Sequence, residues 1–312
     1  MTTDMVPSMN DQPTKSPRRR WLSFSLRSML MFVAVAGISM GWMAWHVNRV
    51  RNQRLVVAEL SSVGGLVIYS YQWQQRTRQE PPGPKWLRSL LGDDIFADVK
   101  EVDIRHDHVT EQTLARVATL PAVLTLMMRS DRISDSGLAH LAKMSTLQQV
   151  DLYSPGLSDA SLAQLAKIEG LKYLTVDSPQ LTDVGLEYVG KLKKLEAIDI
   201  KADQVTGESL AQIATLPNLR QLTLDSKQLA DVGLVHLQLA PRLKHIAFKK
   251  GKLTEGEIER LCEAHPLCRV WAPQIEHGRM NEYRIIEYGR RDRTLILNSP
   301  LAPSRTSNPG RL

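Results

Sequence analysis

A block of 24 residues recurs seven times, without an insertion, from about Val99 to Pro266. Its apolar positions line up from copy to copy. One column reads Val123, Leu147, Leu171, Leu195, Leu219 and Leu243, and another reads Ile104, Met128, Leu152, Val176, Ile200, Leu224 and Phe248. In the second half of each block a column of Leu114, Leu138, Leu162, Leu186, Leu210, Leu234 and Ile258 continues the series. Self-similarity at one short, fixed period dictates a solenoid. A single unit of this size cannot bury its own apolar face, whereas stacked neighbours share one continuous core.

The unit from Thr146 to Glu169 shows what each coil contains. Leu147, Val150 and Leu152 end in the alternation of a short strand. After the turn at Ser154–Gly156, apolar residues at 162, 165 and 168 have helical spacing. Ser158 stands where the helix N-cap belongs, and its column reads Thr110, Ser134, Ser158, Thr182, Thr206, Ala230 and Thr254. A hydroxyl there accepts an orphan N–H of the first turn. Each coil is therefore expected to be strand, turn, cap and short helix.

The segments LTDVGL (181–186), LADVGL (229–234) and ISDSGL (133–138) resemble leucine-rich repeats of the LTDxGL subtype, common in bacterial membrane-anchored proteins. The resemblance covers a little over half the chain. It implies an α/β leucine-rich repeat solenoid, with parallel strands on the concave face and short helices on the convex face. One column departs from the family. Many such repeats carry a buried Asn or Cys three residues after the last strand leucine. Here the column reads Asp107, Asp131, Pro155, Pro179, Asp203, Lys227 and Gly251. An Asn ladder is ruled out, and a looser, more solvated turn is expected. The units also resemble one another at even multiples of the period: Thr175–Gly185 matches Thr223–Gly233, two periods on, and Val102–Pro121 matches Ile198–Pro217, four periods on, more closely than either matches its neighbours. Duplication of pairs and drift under one packing constraint both account for this.

The net charge of +7 is concentrated at one end. The first 54 residues carry eight Lys and Arg against two Asp, and the remaining 258 carry 32 basic against 31 acidic side chains. The excess thus flanks an apolar segment, and a nucleic-acid footprint, which needs a basic stripe on the folded domain, is not indicated. Ser28–Trp45 is an uncharged run of 18 residues, long enough as a helix to cross about 27 Å. Trp21, Trp42 and Trp45 suit the two interfaces. Five basic residues precede the run, and Arg49, Arg51 and Arg54 follow it. This balance places the N-terminus in the cytoplasm and the repeats outside. Cleavage after Ala34-Val35-Ala36 is the competing reading.

The expected organisation is a disordered tail at 1–20, a transmembrane helix with its basic flank at 21–45, a juxtamembrane helix and N-terminal cap at 46–98, the solenoid at 99–272 and a C-terminal tail at 273–312. Within the cap, Leu66–Trp73 reads as a strand, and Trp86–Leu91 with Ile95-Phe96 is apolar enough to cover the first repeat. In the tail, Tyr283–Tyr288 and Thr294–Leu297 flank a basic turn, and hairpin and disorder both fit. Cys262 falls on the last helix and Cys268 on the following strand. Two free thiols are favoured, because helix and strand layers lie about 10 Å apart, while a shifted cap would permit a disulfide.

Stacking coils turns each outward strand position into a column. The first reads Arg105, Arg129, Tyr153, Asp177, Lys201, Asp225 and Lys249, the next Asp103, Met127, Asp151, Thr175, Asp199, Thr223 and Ala247, and the third ends at His245. From Asp177 onward the first column alternates in sign, so neighbours can neutralise one another. A recognition strip on this face would comprise Arg129, Asp151, Tyr153, Tyr173, Asp177, Asp199, Lys201, Asp225, His245 and Lys249, with the tyrosines and Arg129 as anchors. Asp151 and Asp199, roughly 10 Å apart, are a poor catalytic pair on an open sheet with nothing to desolvate them. His106-x-His108 lies in a turn far from other histidines. No phosphate loop, H-E-x-x-H motif or nucleophile elbow occurs. The sequence thus points to a non-catalytic, single-pass membrane scaffold with no cofactor, no metal and no small-molecule substrate. Its partner would be another protein or, as the alternative, copies of itself in a structural envelope layer.

Overall fold

The computed structural model describes residues 26–73, 81–92, 96–105, 109–276 and 279–287. The chain falls into two units, dividing between Asn48 and Arg49. The first contains the beginning of α1 (Leu26–Ser62), a continuous helix of 37 residues. Its apolar side chains face outward: Leu30, Met31, Phe32, Val35, Ile38, Met40 and Trp42 are all exposed. This helix is long and apolar enough to cross a membrane. One turn separates Trp42 from His46, and their rings stack at 5.4 Å.

In the second unit α1 behaves differently. Val50, Val56 and Leu60 are buried, Gln53 Nε2 donates to the Ala97 carbonyl at 2.8 Å, and Glu59 pairs with Arg116. The helix ends where Gly64 adopts a φ of 75° and Gly65 N–H bonds back to the Leu60 carbonyl. The elements that follow are β1 (Leu66–Tyr69), α2 (Ser70–Trp73), α3 (Lys85–Leu91), β2 (Val99–Ile104), α4 (Glu111–Val117), β3 (Thr125–Arg129), α5 (Asp135–Leu141), β4 (Gln149–Tyr153), α6 (Asp159–Leu165), β5 (Tyr173–Asp177), α7 (Asp183–Val189) and β6 (Ala197–Lys201). Then come α8 (Leu210–Ala214), β7 (Gln221–Ala230), α9 (Leu234–Leu237), β8 (His245–Lys252), α10 (Glu255–Ala264), β9 (Arg269–Glu276) and β10 (Arg279–Glu287).

The ten strands form one sheet in sequence order. β2 to β9 are parallel, and β1 and β10 close the two ends as antiparallel strands. The register follows the repeat: Thr125, Gln149, Tyr173, Ala197, Gln221, His245 and Arg269 stand on successive rungs. Leu147, Leu171 and Leu195 are fully buried in one core that runs the length of the sheet. The chain is therefore an α/β protein with a solenoid-like layout of alternating strands and helices.

The turns after the strands are not loose, contrary to the expectation from the missing Asn column. The ladder sits one residue earlier and is made of serine. Ser130, Ser154, Ser178 and Ser226 are all buried. The last three donate their hydroxyls to the carbonyls of Ile133, Leu157 and Val205 in the preceding coil, at 3.3, 2.7 and 2.6 Å. Each also accepts the N–H two residues on. A short hydroxyl satisfies buried backbone groups at these three turns.

A second ladder joins the helix starts. Asp135 accepts from Ser158 N–H (3.1 Å), Ser158 Oγ (2.6 Å) and Ser161 Oγ. Asp159 accepts from Thr182 N–H (2.9 Å) and Oγ1 (2.6 Å). Asp183 takes five hydrogen bonds, from Thr206 N–H and Oγ1, Gly207 N–H, and Ser209 N–H and Oγ. Burial raises the pKa of Asp135 and Asp183, but these donors outweigh it and hold both carboxyls below the usual carboxylate value. The cap column works as read at Thr110, Ser158, Thr182 and Thr254, which each accept an N–H of the following helix. It does not at Ser134, which makes no side-chain cap bond, nor at Thr206, because α8 starts later, after Ser209.

The pairing at twice the period has a structural basis. Ser161 and Ser209 reach back to Asp135 and Asp183, whereas the same place in intervening coils holds Gly137, Gly185 and Gly233. A Cβ at Gly185 would overlap Asp159 Oδ1, and one at Gly233 would overlap the Gly207 carbonyl oxygen. Coils with a donor thus alternate with coils that need empty space.

Three expectations change. Leu66–Trp73 is not one strand: β1 stops at Tyr69 and α2 follows. Trp86 does not cover the first repeat, because it is 69% exposed, and Val56 and Leu60 of α1 take that role. The C-terminal hairpin joins β9 to β10, one hairpin earlier than the apolar runs suggest; Thr294–Leu297 and the tail at 1–20 lie outside the described residues. Cys262 and Cys268 are free and buried, and burial pushes their thiols up to about 12 and about 11.

Candidate functional site

The outward face of the strands carries the expected columns. Arg129, Tyr153, Asp177, Lys201 and Asp225 occupy neighbouring rungs, each about 4.8 Å from the next. The column then slips. Asp225 stands opposite Lys250, not Lys249, because β8 bulges just before Gly251, whose φ of 144° a side-chain-bearing residue rarely adopts. Lys250 Nζ lies 3.1 Å from Asp225 Oδ1, although no well-directed hydrogen bond reaches that buried oxygen. Lys249 instead reaches Asp199 at 3.8 Å.

Most charges on this face are therefore paired. Lys201 lies 2.9 Å from Asp177, and this hydrogen bond raises the lysine's pKa. Arg105 holds Asp103 at 2.8 Å. Arg129 and His245 are exposed at the ends of this arrangement. The two tyrosines are not brought together. Tyr173 stands beside Gln149 and Tyr153 beside Asp177, four residues apart along the strands, which separates them by roughly 14 Å. Tyr173 is exposed and Tyr153 is half-buried, with burial, then Asp151, raising the phenol's pKa.

Asp151 and Asp199 lie two rungs apart in one column, with Thr175 between them. The expectation that nothing desolvates them is wrong. Burial pushes both carboxyls above the usual value. Asp151 Oδ2 accepts from Gln149 Nε2 at 3.0 Å, while its Oδ1 is buried without a partner. The lysines and arginine that flank them are engaged with other carboxylates, apart from Lys249 near Asp199. Among the described residues, Asp199 has the Lys249 ammonium nearby and Asp151 forms no ion pair.

One feature of this face escaped sequence reasoning. Trp271 on β9 stands opposite Ala247, and with Gln221, Thr223, His245 and Ile246 it lines an open hollow of about 280 Å³. The signal was present, since Trp271 lies 24 residues after Ala247 and so extends the column of Asp199 and Thr223. Small residues at 223 and 247 beside a large indole leave the depression. Among the described residues no group of His, Cys, Asp and Glu could hold a metal ion; His106, Asp107 and His108 lie outside them. No protein-family model matches the chain, and no curated protein matches it.

Proposed function

We propose that the protein is a membrane-anchored, non-catalytic leucine-rich repeat scaffold that binds a protein partner on the strand face of its solenoid. The observation that carries this reading is the unbroken parallel register from β2 to β9. It fixes side chains in columns on an outward surface, where Arg129, Tyr173, Lys201 and His245 are exposed. Helices need 8–10 Å between axes where strands need about 4.8 Å, so stacking bends the sheet with the strands on the concave side. Paired charges such as Asp177–Lys201 supply orientation more than affinity. Exposed Tyr173, half-buried Tyr153 and Trp271 beside its hollow supply the aromatic anchors that dominate binding energy. The apolar half of α1 holds this surface at a bilayer, with the repeats on the extracytoplasmic side.

The test is capture from the native membrane with the full chain, followed by crosslinking. Tyr173→Ala with Trp271→Ala is expected to remove a crosslinked partner species while leaving the unfolding midpoint within a degree or two of the parent. Capture that survives both substitutions would take this face out of consideration. Ladders of the chain alone would show that its partner is itself.

A further inference from the structure

We propose that one rim of the solenoid, where strands begin and helices end, rests on the anionic lipid headgroups of the bilayer that α1 crosses; this builds on the reading of α1 as a membrane helix. Two independent features of the second unit meet at this rim. The first is charge. The backbone ladder continues one residue ahead of the strands: Lys172 N–H bonds to Gln148, Glu196 to Lys172, Arg220 to Glu196 and Lys244 to Arg220, each at 2.8 Å. Lys172, Arg220 and Lys244 therefore share one row with a single acidic residue. One position beyond the C-caps of α5, α6 and α7 stand Lys143, Lys167 and Lys191, all exposed. Lys193 and Lys194 fill the loop between the two rows. Among the described residues, ion pairs on this rim include Arg220–Glu196, at 3.7 Å, and Arg49–Asp98 at the first coil, and Lys143, Lys167, Lys172, Lys191, Lys193, Lys194 and Lys244 form none. A cation at each helix end offsets the helix dipole, which explains Lys143, Lys167 and Lys191 but not the row at the strand starts. The opposite rim carries the helix-start carboxylates Asp135, Asp159, Asp183 and Asp231. A unit whose basic and acidic residues nearly balance is thus polarised across its width.

The second feature is direction. Chain connectivity puts Arg49 four residues beyond Trp45. Arg49 pairs with Asp98 at 2.6 Å, and Gln53 bonds to Ala97; both partners immediately precede β2. Asp98 is also the first-coil member of the row that carries Lys194 and Arg242. From Arg49 the helix runs 13 residues to Ser62, about 20 Å, and β1 then starts with Leu66 opposite Asp103 at the far end of β2. The strands accordingly begin at the rim where the chain enters this unit. Lysines strung along about five coils, roughly 24 Å, suit a broad anionic surface. Tethering by α1 keeps that surface at high effective concentration, and each lysine near an anionic leaflet adds to the attraction.

The experiment places the full chain in nanodiscs of phosphatidylcholine alone or with about a quarter phosphatidylglycerol, and follows amide hydrogen exchange. Identical leaflets make the result independent of topology. Peptides containing Lys143, Lys172, Lys194 and Lys244 are expected to exchange several-fold more slowly in the anionic discs. This slowing should vanish in high salt and in the triple variant Lys172→Glu, Lys194→Glu, Lys244→Glu. Core peptides around Leu147–Leu152 serve as the folding control. Equal exchange in both discs overturns the docking, as does rim protection by soluble polyphosphate or DNA without protection by the anionic discs. Failure to enter even neutral discs would overturn the membrane reading of α1 itself, a separate result.

Discussion

At the scale of single residues, Asp151 shows what a polar face costs a stacked sheet. Its neighbours on the adjoining rungs remove water, Gln149 satisfies one oxygen, and the other stays buried without a donor. Asp199 and Asp103 add like charge after burial has already raised the carboxyl's pKa. A carboxyl whose folded pKa is raised is most favourable to the folded state below its unfolded value, and that contribution is lost as pH rises through the folded pKa. Asp151 therefore opposes folding at neutral pH and ceases to do so near and below about pH 3.9. Asp151→Asn, of the same shape, is expected to stabilise the protein by on the order of 1 kcal/mol near pH 7. The gain should shrink to nothing near pH 4, measured as the shift in denaturation midpoint at each pH. Asp135 and Asp183 run the other way: their folded pKa values are lowered, so their contribution is present above the ordinary value and lost as acid reaches the folded one. Acid unfolding should thus begin at the helix starts, after the strand face has become more comfortable.

At the scale of elements, the two ladders decide how coils hold one another. Asp183 gathers three backbone N–H groups and two hydroxyls, Asp159 one of each. Asp183→Ala should therefore cost about 2–4 kcal/mol, because it strands buried donors, and distinctly more than Asp159→Ala, compared by urea unfolding. Gly233→Ala is expected to be as damaging, since its methyl would meet the Gly207 backbone. Gly256→Ala, at an open position in α10, should be neutral or slightly stabilising. The sequence made the strands, caps and helices legible because all three depend on spacing within one coil. The ladders escaped it because their partners lie 21 to 26 residues away, as Ser178 to Leu157 and Ser209 to Asp183 do. Ser154 reads as turn residue by composition, and only its depth of burial reveals a structural hydroxyl. The candidate face was legible as far as the register held. It failed at Lys249, where the bulge before Gly251 moves Lys250 opposite Asp225, and at Trp271, where a strand beyond the last recognised copy still obeys the period.

At the scale of the whole molecule, stability passes from coil to coil. Each unit of a repeat array touches only its neighbours, so the ends are its weak points. The C-terminal end is closed by β10 pairing on β9, and the N-terminal end by β1 and by the second half of α1. Leu60, 1% exposed, is the deepest of the residues that α1 contributes to the core of the first coil. Leu60→Asp places a charge there with no partner and should open that coil. The array predicts how far the damage travels. Amides of β2 and α4 should lose hydrogen-exchange protection, those of β4 less, and those of β8 and β9 should stay at parent levels, because six interfaces separate β2 from β8. A globally cooperative domain would instead lose protection everywhere at once. Leu162→Ala, in the middle of the array, is the matching control: a cavity worth about 2–5 kcal/mol should weaken coils on both sides of α6 and leave the two ends closed. If protection fell uniformly for both variants, the coils would be acting as one indivisible unit. The columns on the strand face would then be held by the whole chain, not by nearest neighbours.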